Sequence, residues 1–222
     1  MKNKSIAALL ALALSALCQA GERVPSVFIA VGYSPHQPAA RMKVPADYVA
    51  VPLNIQNDSR DPVKRADEIE KTLRALAEKL APHPDLKIMP GVVSLSPREL
   101  SKLSSDSQAG SAQLYVLGSL KGDATVFAMT KRIYQIVSAM PLADGTRITF
   151  GSTSLGLEEP EKYRSEILGL IAKSVAEARK SLGSASLADI EGLENAVSVM
   201  QLNDWEVLLF INYRMRVQNR AM

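Results

Sequence analysis

A proline inside an alternating run is the feature that most limits how this chain can fold. Over residues 48–55, Val49, Val51, Leu53 and Ile55 fall on one side, and Ala50 and Asn54 on the other. A period of two reads as a half-buried β-strand. Pro52 falls on the side away from the core. Proline has no N–H to give to a ladder, so the strand must lie at a sheet edge there or carry a bulge.

The chain then runs into Asp61-Pro62, a cap followed by a residue that loses no hydrogen bond at the first helical position. Val63, Ala66, Ile69, Leu73, Leu76 and Leu80 recur at helical spacing, with charged residues between them, up to the stop at Pro82-His83-Pro84. Glu159-Pro160 opens a second long helix in the same way. Its stripe is Tyr163, Ile167, Leu170, Ile171, Val175, Ala178 and Leu182, and Gly183 ends it. Acidic residues at its start and Lys173, Arg179 and Lys180 towards its end suit the helix dipole.

Further strands are expected at 26–31, 87–96, 113–120 and 147–157, with a terminal hairpin of 193–201 and 205–217 joined by Leu202-Asn203-Asp204. Residues 34–44, with Pro35 and Pro38, read as a loop or linker, and the Ser-rich 98–110 as a loop. Lys121-Gly122-Asp123 signals a turn, and Asp144-Gly145 a hairpin turn. Residues 125–140 are mixed, reading as a short strand and then a helix from about Met129.

Strand, acid-Pro, long helix and two strands thus occur twice, over 48–120 and 147–217. The order predicts an α+β fold: antiparallel sheets with two long helices packed on one face, in pseudo-duplicated strand-helix-strand-strand halves. The expected division is a leader at 1–20, an N-terminal strand and Pro-rich linker at 21–44, the α+β domain at 45–217 and a tail at 218–222.

The leader has the secretory pattern: basic Lys2 and Lys4, an Ala/Leu run over 6–17, and Cys18-Gln19-Ala20 with small residues where a leader peptidase reads. The expected cut follows Ala20, and the expected compartment is the periplasm. Cys18 raises the alternative of a lipid anchor, but Leu17 stands where the attachment box needs a small residue. Cys18 is the only cysteine, so disulfides cannot staple the body, although that compartment would permit them. The leader carries two of the 26 basic residues and none of the 23 acidic ones, leaving 24 against 23 and a net charge of +1. Broad nucleic-acid binding wants a concentrated basic face and is not expected. No run after the leader reaches the roughly 20 apolar residues of a membrane-spanning helix, so none is expected.

Pro45-Ala46-Asp47-Tyr48, opening the alternating strand before a charged amphipathic helix, resembles the SIMPL-domain family of bacterial envelope proteins. The second half is similar to it too, with a strand, a long helix (160–182), Gly183 and a terminal β-hairpin. The resemblance covers residues 26–217. It departs near the first strand, where the usual Gly-x-Gly is reduced to Gly32 and a Pro-rich stretch intervenes before Pro45. It implies an α+β periplasmic or envelope protein without recognised enzymatic activity. Some members of that family form ring- or channel-like oligomers, and some are tied to oxidative-stress tolerance. It carries no agreed set of functional residues to transfer.

The residues themselves offer no catalytic constellation. His36 and His83 each sit beside prolines without a second ligand at metal spacing, and read as exposed loop residues. The stretch GSTSLG at 151–156 misses the nucleophile-elbow spacing by one residue, and no histidine follows His83 to serve as base. No phosphate-binding glycine loop is present. Glu158-Glu159 are explained by the helix start they precede. No catalytic, cofactor-binding or metal-binding residue is therefore assigned, and no enzyme is expected. The expected action is binding or self-assembly, with a second copy of the chain or another envelope protein as partner; the alternative is a monomeric module for a small ligand or an envelope partner. The candidate interface is Trp205, Tyr213, Arg214 and Arg216. The two arginines share a face if 213–217 is extended, although such a pair is more often a solvated strand edge. Trp205 could equally be a local core anchor.

Overall fold

The computed structural model describes residues 26–30, 38–94, 110–182 and 186–219. The leader with Cys18 and Ala20, and also Gly32, His36, Gly183 and Arg220, lie outside the described residues.

The alternating strand is β3 (Tyr48–Asn57), the centre of a six-stranded antiparallel sheet. The other strands of that sheet are β1 (Val27–Ile29), β4 (Leu86–Ser94), β5 (Gly110–Ser119), β6 (Thr146–Phe150) and β7 (Ser154–Glu158). Its order is β1-β7-β3-β5-β4, with β6 continuing the β7 side of β3. Pro52 is therefore inside the sheet, and the bulge alternative holds. Leu53 faces Phe150 and Ala50 faces Ser154, so two residues of β3 oppose the three residues Gly151, Ser152 and Thr153. The Pro52 carbonyl accepts from Gly151 N at 2.9 Å, so the missing N–H points to the same irregular side. A Cβ on Gly151 would stand 2.7 Å from Pro52 Cγ, so the bulge uses the glycine for its close approach. The single strand expected over 147–157 is consequently two.

Val49, Val51, Leu53 and Ile55 are buried on one face of β3 and meet Ala112, Leu114 and Val116 of β5 on the same face. Helix α1 (Pro62–Leu80) adds Ile69, Leu76 and Leu80, and α2 (Val126–Ser138) adds Met129, Ile133 and Val137. Asp61 caps α1 as expected, its Oδ1 accepting from Val63 N at 2.8 Å and Lys64 N at 3.4 Å. Helix α2 starts at Val126 with no strand before it, because Thr125 Oγ1 caps it through Ala128 N at 3.2 Å. Asp144-Gly145, with Gly145 at φ +68°, joins α2 to β6; a helix precedes it, so it is no hairpin turn.

A second core lies where Leu155 and Leu157 of β7 meet a smaller sheet of order β2-β10-β9. Its strands are β2 (Met42–Pro45), β9 (Val197–Gln201) and β10 (Glu206–Ile211). β2 falls in the stretch expected to be linker. The second long helix begins as a 3₁₀ turn (Pro160–Tyr163) after Glu159 at φ +49°, and becomes α3 (Arg164–Leu182). Ile167 and Ile171 of α3 enter this second core with Val207, Leu209 and Ile211. The helices covering the large sheet's first core are thus α1 and the shorter α2, rather than the two long ones.

The terminal hairpin is shorter than expected. β9 and β10 form it, but the chain leaves at Asn212, and β11 (Arg214–Asn219) pairs with β8 (Ser186–Glu191), which the sequence reading missed. The two halves share an order of elements but not a pairing: β3, β4 and β5 lie in one sheet, whereas β7, β8 and β9 lie in three.

Candidate functional site

The β9–β10 turn is held by one side chain. Asn203 Oδ1 accepts from Trp205 N at 3.0 Å and Glu206 N at 2.8 Å, and its Nδ2 donates to Glu206 Oε2 at 2.7 Å. This is the Asx pattern by which asparagine replaces a backbone turn. Leu202 N donates to Glu206 O at 3.0 Å, and Ala46 N to Trp205 O at 2.9 Å. The Trp205 backbone is thereby fixed on both sides while its indole remains 61 % exposed. Trp205 is a presented side chain, not the core anchor of the alternative reading.

Ala46 belongs to the Pro45–Tyr48 segment, where the chain crosses from the small sheet to the large one. Asp47 secures the crossing: its N–H donates to Gly156 O, its carbonyl accepts from Leu120 N, and its Oδ2 accepts from Glu158 N at 2.9 Å. Tyr48 beside it is buried, and its phenol pKa is raised, first by that burial and then by the negative charges of Glu158 and Asp47.

A cavity of about 660 Å³ lies between the hairpin tip, α2 and the β6–β7 bulge. α2 supplies one wall with Val126, Phe127, Thr130, Lys131, Tyr134 and Gln135. The bulge supplies Thr153, Ser154 and Leu155, and the tip supplies Gln201, Asp204 and Trp205. Phe127, Lys131 and Gln135 are four residues apart and form one stripe along the helix. Phe127 is 88 % exposed, an unusual position for a phenylalanine in the first turn of a helix. The Thr130 hydroxyl is out of contact with water and has no partner among the described residues, although a helical threonine commonly bonds the carbonyl four residues back. Lys131 and Asp204 take part in no ion pair or side-chain hydrogen bond among the described residues.

The four candidate interface residues do not form one surface. Trp205 precedes β10 and Tyr213 follows it, so the strand separates them by roughly 20 Å at about 3.3 Å per residue. Tyr213 packs half-buried on the second core. Arg214 and Arg216 are exposed on β11, facing Glu191 and Asp189 of β8 in the register. Opposite charges directly across an antiparallel pair stabilise the ribbon itself. Of the α2 wall, Val126 and Phe127 fall in the short strand expected ahead of a helix from about Met129, whereas Thr130, Lys131, Tyr134 and Gln135 fall in that helix.

His83 is not the exposed loop residue expected. Its Nδ1 lies 3.0 Å from Arg132 Nη2, and both Arg132 terminal nitrogens also bond the Asp85 carboxylate. The trio ties α2 to the α1–β4 connection. The guanidinium donates to both partners. The 151–156 stretch is the sheet bulge and the start of β7, which accounts for its glycines. No group of three potential metal ligands occurs among the described residues, and no helix among them is long and apolar enough to cross a membrane.

Comparison with protein-family models gives no match, and comparison with curated protein sequences gives none either.

Proposed function

We propose that this chain is an exported, periplasmic SIMPL-like protein that acts by binding rather than catalysis, and that the cavity beside Trp205 is its binding site. The observation that carries the reading is the pair Trp205 and Phe127. Two large aromatics stand exposed on facing elements around a cavity within the roughly 300–1,000 Å³ typical of ligand sites. Export rests on the leader pattern, and the family on the Pro45–Tyr48 entry into the central strand. A role in envelope or oxidative-stress tolerance rests on that resemblance alone. The repeated order of elements, without repeated pairing, favours two halves of common origin that have since diverged.

The test is a titration with 1-anilinonaphthalene-8-sulfonate, following its emission and that of Trp205, the chain's single tryptophan. Saturable binding that Phe127→Ser weakens supports the site. An unaltered titration in that variant places binding elsewhere.

A specific observation also favours self-assembly. Among the described residues β8 and β11 pair only with each other, leaving an open edge on each strand. Light scattering decides between the readings: a defined multimer that Arg214→Glu with Arg216→Glu dissociates favours assembly, and a monomer favours the binding module.

A further inference from the structure

We infer that the cavity beside Trp205 is built for a small zwitterion with an aromatic or apolar side group, in the chemical class of a free aromatic amino acid or a short apolar peptide. The inference rests on the binding reading above and adds the ligand's charge pattern to it.

The lining carries one cation and one anion, Lys131 and Asp204. They stand on different walls, Lys131 in the middle of the α2 stripe and Asp204 beside Trp205 at the hairpin tip. Neither is used by the fold, since neither has an ion-pair or side-chain hydrogen-bond partner among the described residues. By contrast Glu206 is engaged with Asn203, and Arg132 with Asp85 and His83. The rest of the lining sets Phe127, Tyr134, Leu155 and Trp205 among uncharged polar side chains such as Thr130 and Gln135, and most of its surface is apolar.

A ligand that carried only a negative charge would meet Lys131 favourably and Asp204 unfavourably. One that carried only a positive charge would meet the reverse. A molecule with both charges and an apolar body satisfies both walls at once: carboxylate towards α2, ammonium towards the hairpin tip, side group between the two aromatics. The first turn of α2 reinforces the polarity, because the positive end of the helix dipole lies on the Lys131 wall. A macromolecular partner is less well matched, because the cavity volume suits a molecule of one or two residues.

The probe is the dipeptide Phe-Phe with both termini free, compared with its N-acetylated and C-amidated forms. Neither phenylalanine ring absorbs where tryptophan is excited, so Trp205 emission reports occupancy directly. The expected result is saturable binding of the free dipeptide. Each capped form should bind about two- to fivefold more weakly, the scale of an exposed ion pair. Asp204→Asn should abolish the effect of acetylation and leave that of amidation, and Lys131→Gln should do the reverse. Both side chains are exposed and have no partner among the described residues, so both variants should fold. Equal binding of free and capped forms, or variants that do not separate the two effects, overturns the zwitterion inference while the site stands. If neither the dipeptides nor anilinonaphthalene sulfonate perturbs Trp205, the binding reading falls with it.

Discussion

The two cores of this molecule are closed in different ways. Around β3, apolar side chains from three strands and two helices fill the interior, and Leu53, Ile55, Leu76 and Ile133 are essentially removed from water. Around β10 an apolar interior also exists, but its boundary is drawn by single polar side chains acting on the backbone. Asn203 shapes the hairpin tip. Glu161 accepts from Val197 N at 2.8 Å, and Arg164 reaches the carbonyls of Leu193 at 2.9 Å and Asn195 at 2.7 Å. The difference teaches where a binding surface fits. The packed region spares large side chains only on its outer faces, as Phe127 on α2 does, whereas in the other the polar contacts of Asn203 to the backbone hold Trp205 outside at the hairpin tip.

The largest effect should come from the packed core. Leu53→Ala removes a side chain that lies against β5 and the helices above it, and should destabilise the protein by about 2–5 kcal/mol. Denaturant unfolding followed by circular dichroism measures it. A loss below about 1 kcal/mol would mean that this core collapses around the gap, and the contrast between the two regions would lose its first term. Trp205→Ala is the matching control at the other end. An exposed side chain there should change global stability by no more than about 0.5 kcal/mol.

The packed region is also the part most legible in the sequence. The period-two run of β3 and the 3.6-residue stripe of α1 each state which face is buried, and Asp61-Pro62 states where the helix begins. Pro52 left a sheet edge or a bulge open, and the choice depended on a register that only the folded sheet provides. The second region was less legible for physical reasons. Its strands are short, β2 hides among prolines and polar residues, and β8 alternates too weakly to stand out. The start of the site's α2 wall was misread because Val126 and Phe127 are β-formers, and the capping hydroxyl of Thr125 overrides that preference. Trp205 was found as a candidate from its type and its place at a turn. Tyr213, Arg214 and Arg216 lie beyond the other end of β10, a distance that spacing in the sequence alone does not state.

An intermediate effect should come from the turn that presents the indole. Asn203→Ala removes the acceptor for two backbone N–H groups at an exposed tip, at a cost of about 1 kcal/mol. The more telling readout is local. Trp205 should gain mobility, seen as lower steady-state fluorescence anisotropy, while the far-ultraviolet dichroism stays unchanged. Unchanged anisotropy would show that the Ala46–Trp205 backbone bond suffices to fix the tip, and Asn203 would drop out of the site.

The smallest effect should appear only with acid, and in the second region. Arg164 bonded to the Glu161 carboxylate, helped by Val197 N, holds the Glu161 pKa below the usual carboxylate range. A depressed folded-state pKa adds stability that is fully present above the unfolded value, near 4.3, and disappears as pH falls through the folded one. Because the pair is partly open to solvent, screening keeps the global contribution small. Locally, protonation loosens the contact that joins the 3₁₀ turn to β9. Amide hydrogen exchange at Val197 should therefore accelerate, after correction for intrinsic rates, as pH is lowered from 5 towards 3, ahead of the amides of β3. Glu161→Gln should exchange faster at Val197 already at pH 6 and lose most of that pH dependence. If β3 and Val197 loosened together, the two cores would be one cooperative unit, and the polar boundary of the second would set no separate threshold.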